Sequence, residues 1–94
     1  MNELERARRR IDGIDRKMAA LFEERMAAVR AVAAYKKEQG LSVTDEGRER
    51  ELRDSAPCRL SDSALLPYYL EFLEQTVRLS KAYQTALMTK EEAL

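Results

Sequence analysis

The sequence predicts an all-α fold of three helices. Ala, Leu, Glu, Arg and Lys dominate its 94 residues, while Val, Ile and Thr together number ten, the residue preference of helices. Gly13 is the one glycine or proline between Asn2 and Gln39. Apolar residues recur along that stretch at alternating steps of three and four, the period of one helix face.

The elements follow in order. Asn2, with Glu5 three residues on, makes an N-terminal capping pattern that opens the first helix. Gly40 suits its stop after Gln39, with Lys36 and Lys37 in the last turn, where cations are favoured. A second helix is expected with Asp45 as N-cap, running to about Asp54. Pro57 to Leu60 reads as a break. The third helix is expected to start within Ser61 to Ser63 and to continue to about Met88, with Pro67 near its first turn, where a missing N–H is tolerated.

Residues 1–94 read as a single domain, too short for two cores. Thirteen of the forty-two apolar positions are alanine, so bulky core material is scarce. A first helix of this length measures about 55 Å, against about 30 Å for a compact chain of this size. Its apolar stripe runs Leu4, Ala7, Ile11, Ile14, Met18, Leu21, then Ala28, Val32 and Tyr35. That period is the packing seam of antiparallel bundles and coiled coils, and a homodimer pairing the long helices resolves the excess length.

Composition narrows the function. Lys plus Arg equals Asp plus Glu at seventeen each, which argues against nucleic acid as partner. There is no histidine and one cysteine, Cys58, so neither a usual metal centre nor a disulfide is expected. The longest apolar runs, Met18 to Phe22 and Ala31 to Tyr35, are too short for a membrane span. With no hydrophobic signal core at the N-terminus, the expected location is the cytoplasm.

Polar residues interrupt both stripes. Arg25 stands where the first calls for an apolar side chain, and Lys36 lies eleven residues on, about 20° around the same face and about 16 Å along it. Inward-facing cations are costly unless an anion meets them. The third helix carries a stripe of Leu70, Leu73, Val77, Ser80, Gln84 and Leu87, with Ser80 and Gln84 at consecutive core positions. Such a polar pair serves equally well to set bundle register. Asp45 as N-cap brings Arg48 and Glu49 beside the end of the first helix. One region then collects Arg25, Lys36, Arg48, Glu49, Ser80 and Gln84, which suits a small polyanion carrying a hydroxyl. Arg8 lies about 26 Å from Arg25 along the same helix, too far to share a small ligand within one chain. In an antiparallel dimer the partner's Arg8 can reach it.

Arg8-x-x-Ile11-x-x-x-Asp15, Glu24-Arg25, Lys36, Asp45-x-x-Arg48-Glu49-Arg50 and Ser80-x-x-x-Gln84, in this order and at these separations, resemble the all-helical class of chorismate mutases, especially the mutase domain of bifunctional bacterial P-proteins. The resemblance covers nearly the whole chain. It implies an intertwined homodimer of three-helix chains with two active sites, each built from both protomers. It also implies conversion of chorismate to prephenate by a Claisen rearrangement without cofactor or metal. Carried over by position, Arg25 and the partner's Arg8 grip the carboxylates and Ser80 supports the ring-carboxylate end. Lys36 and Gln84 hydrogen-bond the ether oxygen. Glu49 accepts from the ring hydroxyl, with Asp45 and Arg48 completing that wall. On this resemblance Lys36, Gln84 and Arg25 are the expected catalytic residues.

Two other readings have different consequences. An isochorismate–pyruvate lyase of the same fold eliminates pyruvate instead of rearranging, although Arg48-Glu49 after Asp45 matches the mutases more closely. A non-enzymatic helical dimerisation module explains the stripe but leaves Arg25, Ser80 and Gln84 without a purpose.

Overall fold

The computed structural model describes residues 1–92; the last two residues of the domain read over 1–94 lie outside the described residues. Three α-helices make up the chain, α1 over Glu3–Gln39, α2 over Glu46–Ser55 and α3 over Leu66–Glu92. Short 3-10 turns at Ala56–Arg59 and Ser63–Leu65 join the second to the third.

Local hydrogen bonds set most helix ends where the sequence marks them. The Asn2 side chain accepts from the Glu5 N–H at 2.9 Å, capping α1. At the other end Gly40 adopts φ 67°, ψ 30°, a conformation that costs any residue with a Cβ. Leu41 N–H then reaches Lys36 O at 2.8 Å and Gly40 N–H reaches Lys37 O at 3.3 Å, the double bond of a Schellman closure. Asp45 caps α2 by accepting from Arg48 N–H at 3.0 Å.

The ends of α3 differ from expectation. Helical backbone does begin at Ser63, capped by the Asp62 side chain, but as a 3-10 turn. The α-helix starts at Leu66, which puts Pro67 in the first turn, where its missing N–H has no intrahelical partner to lose. At the far end α3 runs on to Glu92 rather than stopping near Met88, because no glycine or proline follows Pro67 to end it. The expected break at Pro57 to Leu60 is partly helical too, as the 3-10 turn over Ala56–Arg59.

α3 lies along the C-terminal part of α1, and α2 with the first 3-10 turn closes against α3. The face that α1 offers is centred on Val29 and Ala33, 8% and 2% exposed. It is displaced around the helix from the stripe through Ala28, Val32 and Tyr35. Small Ala33 lets α3 approach closely, while Val32 and Tyr35 stay 44% and 59% exposed. Among the described residues the apolar core is correspondingly thin: Val29, Ala33, Ala56 and Leu73, with no large side chain fully buried.

Before Arg25, every residue of α1 except Gly13 is exposed, including Leu4, Ile11, Ile14, Met18, Leu21 and Phe22. The chain measures 55 × 30 × 15 Å with a radius of gyration of 16.9 Å, against about 12 Å for a compact domain of this length. Its accessible surface of 7712 Å² exceeds by about 2,200 Å² the value expected of a globular monomer of its mass. That excess is the size of the area one subunit buries in an obligate dimer. Among the described residues no helix is long and apolar enough to cross a membrane.

Gly40→Ala is expected to destabilise the chain by about 1 kcal/mol through backbone strain alone, since nothing lies within 4 Å of the added Cβ. Chemical denaturation at fixed protein concentration measures it. An unchanged midpoint would show that the left-handed turn has no part in stability.

Candidate active site

Each helix contributes one face to a single cavity of about 460 Å³. From α1 come Arg25, Ala28, Val29, Val32 and Lys36. From the start of α2 come Asp45, Arg48, Glu49 and Leu52. From α3 come Val77, Ser80, Lys81 and Gln84, while Val43 of the intervening loop closes one end. The spacing within each set is i, i+3, i+4, i+7, with Lys36 a further turn along α1 at i+11, the neighbours on one helical face. Seven of the eight residues singled out in the sequence therefore converge here. The eighth, Arg8, does not: it is exposed on the projecting half of α1 and is absent from the cavity wall.

Two polar ties hold the α1 cations against α3. Arg25 donates through Nη1 to Ser80 Oγ, and the same hydroxyl donates to Thr76 O at 2.9 Å. Ser80 thus spends its one proton on its own helix and turns its lone pair to the guanidinium. It is 7% exposed, and Gln84 one turn on is 6% exposed. Lys36 Nζ donates to Val43 O at 2.7 Å and to Gln84 Oε1 at 3.0 Å. An ammonium has three protons to donate, so two anchor Lys36 and one remains for the cavity. Lysine can only donate, so it takes the oxygen of the Gln84 amide and leaves the NH₂ end as the donor of that side chain. Among the described residues no buried side-chain nitrogen or oxygen lacks a partner.

The acidic wall is built differently. Asp45 spends one oxygen on the α2 cap. Glu49, one turn further, is paired with Lys81, whose Nζ lies 3.4 and 3.5 Å from its two oxygens. Arg48 turns outwards to Glu51 at 3.3 Å, both side chains well exposed. The cavity carries Arg25, Lys36, Arg48 and Lys81 against Asp45 and Glu49, an excess of two positive charges. Apart from Ser80 and Gln84, its remaining lining is apolar. This wall can hold a small dianion and offer it donors at one end and a carboxylate acceptor at the other. No group of three or more His, Cys, Asp or Glu among the described residues is arranged to hold a metal ion.

Sequence reasoning overlooked Lys81 and the Val43 carbonyl. Lys81 was legible in principle, since it completes the i, i+3, i+4, i+7 set begun by Val77 and Ser80. The Val43 carbonyl was not, because a backbone acceptor leaves no trace in residue identity.

A family model described as chorismate mutase type II matches residues 7–85, a span that includes every cavity residue and Arg8. Among curated proteins nothing matches the chain, and no solved structure matches it.

Ser80→Ala is expected to lower unfolding stability by about 1–3 kcal/mol, the usual cost of leaving a withdrawn polar partner unpaired. Arg25 then loses its acceptor on α3. A loss below about 0.5 kcal/mol in denaturant unfolding would show that Arg25 finds water instead.

Proposed function

The chain belongs to the chorismate mutase type II family, and from that premise we propose that the cavity between its three helices is where the reaction takes place, completed by the Arg8 of a second copy. The protein is an isomerase that converts chorismate to prephenate in aromatic amino acid biosynthesis. The proposal concerns which residues do this, and how.

The observation that carries it is the tethered Lys36–Gln84 pair facing a cavity with a two-charge cationic excess. In the rearrangement one carbon–carbon bond forms as the ether carbon–oxygen bond breaks, and no proton changes place. General acid–base groups are therefore unnecessary. The reaction needs a flexible dianion held with its two ends together, and charge stabilisation where the ether oxygen becomes negative. Arg25, steadied by Ser80, is suited to gripping a carboxylate. The free proton of Lys36 and the NH₂ of Gln84 are suited to the ether oxygen. Both donors are held before substrate arrives, so they favour the transition state over the ground state without reorganising. Glu49 is the acceptor for the ring hydroxyl. Asp45 shapes that wall as the α2 cap, and Arg48 has only to release the exposed Glu51 to swing inward.

The same reasoning supports an intertwined homodimer. The uncovered half of α1 presents a continuous apolar stripe, and the excess surface equals a large interface. Arg8, about 26 Å from Arg25, then joins the partner's cavity rather than its own, as the second carboxylate clamp. The ordered match from Arg8 to Gln84 is the ground for likening the chain to the mutase domains of bacterial P-proteins. The proposed location is the cytoplasm.

The direct test follows loss of chorismate absorbance in the purified protein and its Lys36→Ala variant, with isochorismate as the competing substrate. Wild-type turnover of chorismate is expected, with kcat lowered about 10²–10³-fold in the variant. A folded Lys36→Ala dimer at wild-type rate would remove Lys36 from the chemistry. Mixing inactive Arg8→Ala and Lys36→Ala chains under exchanging conditions should restore one intact site per heterodimer. No recovery despite proven exchange would mean that Arg8 does not act across the dimer.

A further inference from the structure

Lys81 enters the cavity from α3 one residue past Ser80, and the reading above gives it no task. A single residue turns a helix by about 100°, which carries Lys81 off the face that meets α1 and towards α2. There its Nζ sits nearly equidistant from the two Glu49 oxygens, at 3.4 and 3.5 Å. An ammonium astride a carboxylate orients it while leaving lone pairs for a further donor.

Two comparisons separate this pair from an ordinary surface ion pair. Arg48–Glu51 spans one turn of α2 with side chains 61% and 68% exposed, whereas Lys81 and Glu49 bridge two helices and are 35% and 22% exposed. Pairs of the first kind contribute little, because water screens them. The second pair is partly withdrawn from water. It also stands on a partition: Glu49, Leu52, Val77 and Lys81 line both the 460 Å³ cavity and a second one of about 500 Å³ between α2 and α3. A glutamate there has two openings to turn into. The cation at its carboxylate decides which.

We propose that Lys81 is a positioning residue, holding the Glu49 carboxylate at the wall of the Arg25–Lys36 cavity as the acceptor for the substrate's ring hydroxyl. This rests on the reading of that cavity as the chorismate site. Lys81 touches no reacting atom; it acts through Glu49. Its effect on turnover must therefore vanish when Glu49 can no longer act as an anionic acceptor, and must survive replacement by another cation of similar reach.

The experiment measures kcat/KM for chorismate in the wild-type protein, Lys81→Met, Lys81→Arg, Glu49→Gln and the Lys81→Met/Glu49→Gln double variant. Methionine keeps the stem and its packing and removes the charge. Lys81→Met is expected to lose about 10- to 100-fold, the scale of a misplaced site group. Lys81→Arg should recover most of that loss. In the Glu49→Gln background Lys81→Met should cost no more than about twofold further, which is within the scatter of a double-mutant cycle, because both changes act through one group. An indifferent Lys81→Met overturns the assignment, as does a failed arginine rescue, or losses that multiply in the double variant as a merely structural role dictates. A wild-type protein inert towards chorismate would overturn the reading of the cavity and this assignment together. An active wild type beside an indifferent Lys81→Met overturns the assignment alone.

Discussion

A helix of 37 residues in a chain of 94 is the constraint from which the rest of this structure follows. At 1.5 Å per residue it sets the 55 Å dimension of the molecule by itself. The remaining residues can cover only one end. α3 packs against the part of α1 beyond Arg25 and α2 closes against α3, while Leu4 to Phe22 are left in solvent with their apolar side chains exposed. The surface excess is a consequence of that geometry. So is the division of labour along the helix, with an apolar stripe on the projecting half suited to pairing with a second copy and the half beyond Arg25 forming a cavity wall.

Where α1 does meet α3, the contact is polar to a degree that stability alone does not favour. Ser80 and Gln84 are among the few buried residues of those described, and their partners are the cations Arg25 and Lys36. Replacing such groups with well-packed apolar residues is often neutral or stabilising. Every tie is instead satisfied, by Thr76 O for the serine and by Val43 O for the lysine, so the cations are held in place rather than buried unpaired. A cavity walled this way is organised before any ligand enters. On the proposed assignment of this cavity, that organisation is what serves a rearrangement that moves no proton. It is also why a chain without histidine serves the reaction.

The second helix owes its place to Asp45. By capping α2 it sets the turn that carries Arg48 and Glu49 along the cavity wall, and the loop before it delivers the Val43 carbonyl to Lys36. Structural and proposed functional roles coincide here, because the residue that starts the helix also lines the cavity. The Lys81–Glu49 bridge extends the same economy to α3, tying the third helix to the second through a group that faces the cavity.

Much of this was legible in the residues themselves. Asn2, Gly40 and Asp45 mark helix ends through bonds that span three to five residues, so local sequence suffices to specify them. Pro67 announced the first turn of α3 but not the 3-10 turn before it, where the two helical hydrogen-bond patterns compete over a few atoms. The polar residues on each stripe were legible for the same reason as the helices, since a period of 3.6 puts Arg25 with Lys36, and Ser80 with Gln84, on shared faces. Which faces meet was not. The rotation of α1 that buries Val29 and Ala33 and leaves Val32 and Tyr35 outside depends on how closely α3 approaches, and small Ala33 decides that only once both helices are present. Lys81 against Glu49, and Lys36 against a backbone carbonyl, depend on the same approach. Local residues specify three helices, both ends of α1, the start of α2 and the faces that carry Arg25, Lys36, Ser80 and Gln84, because each rests on neighbours in the chain. Which side chains touch across helices follows from rotation and distance between segments that no single segment contains.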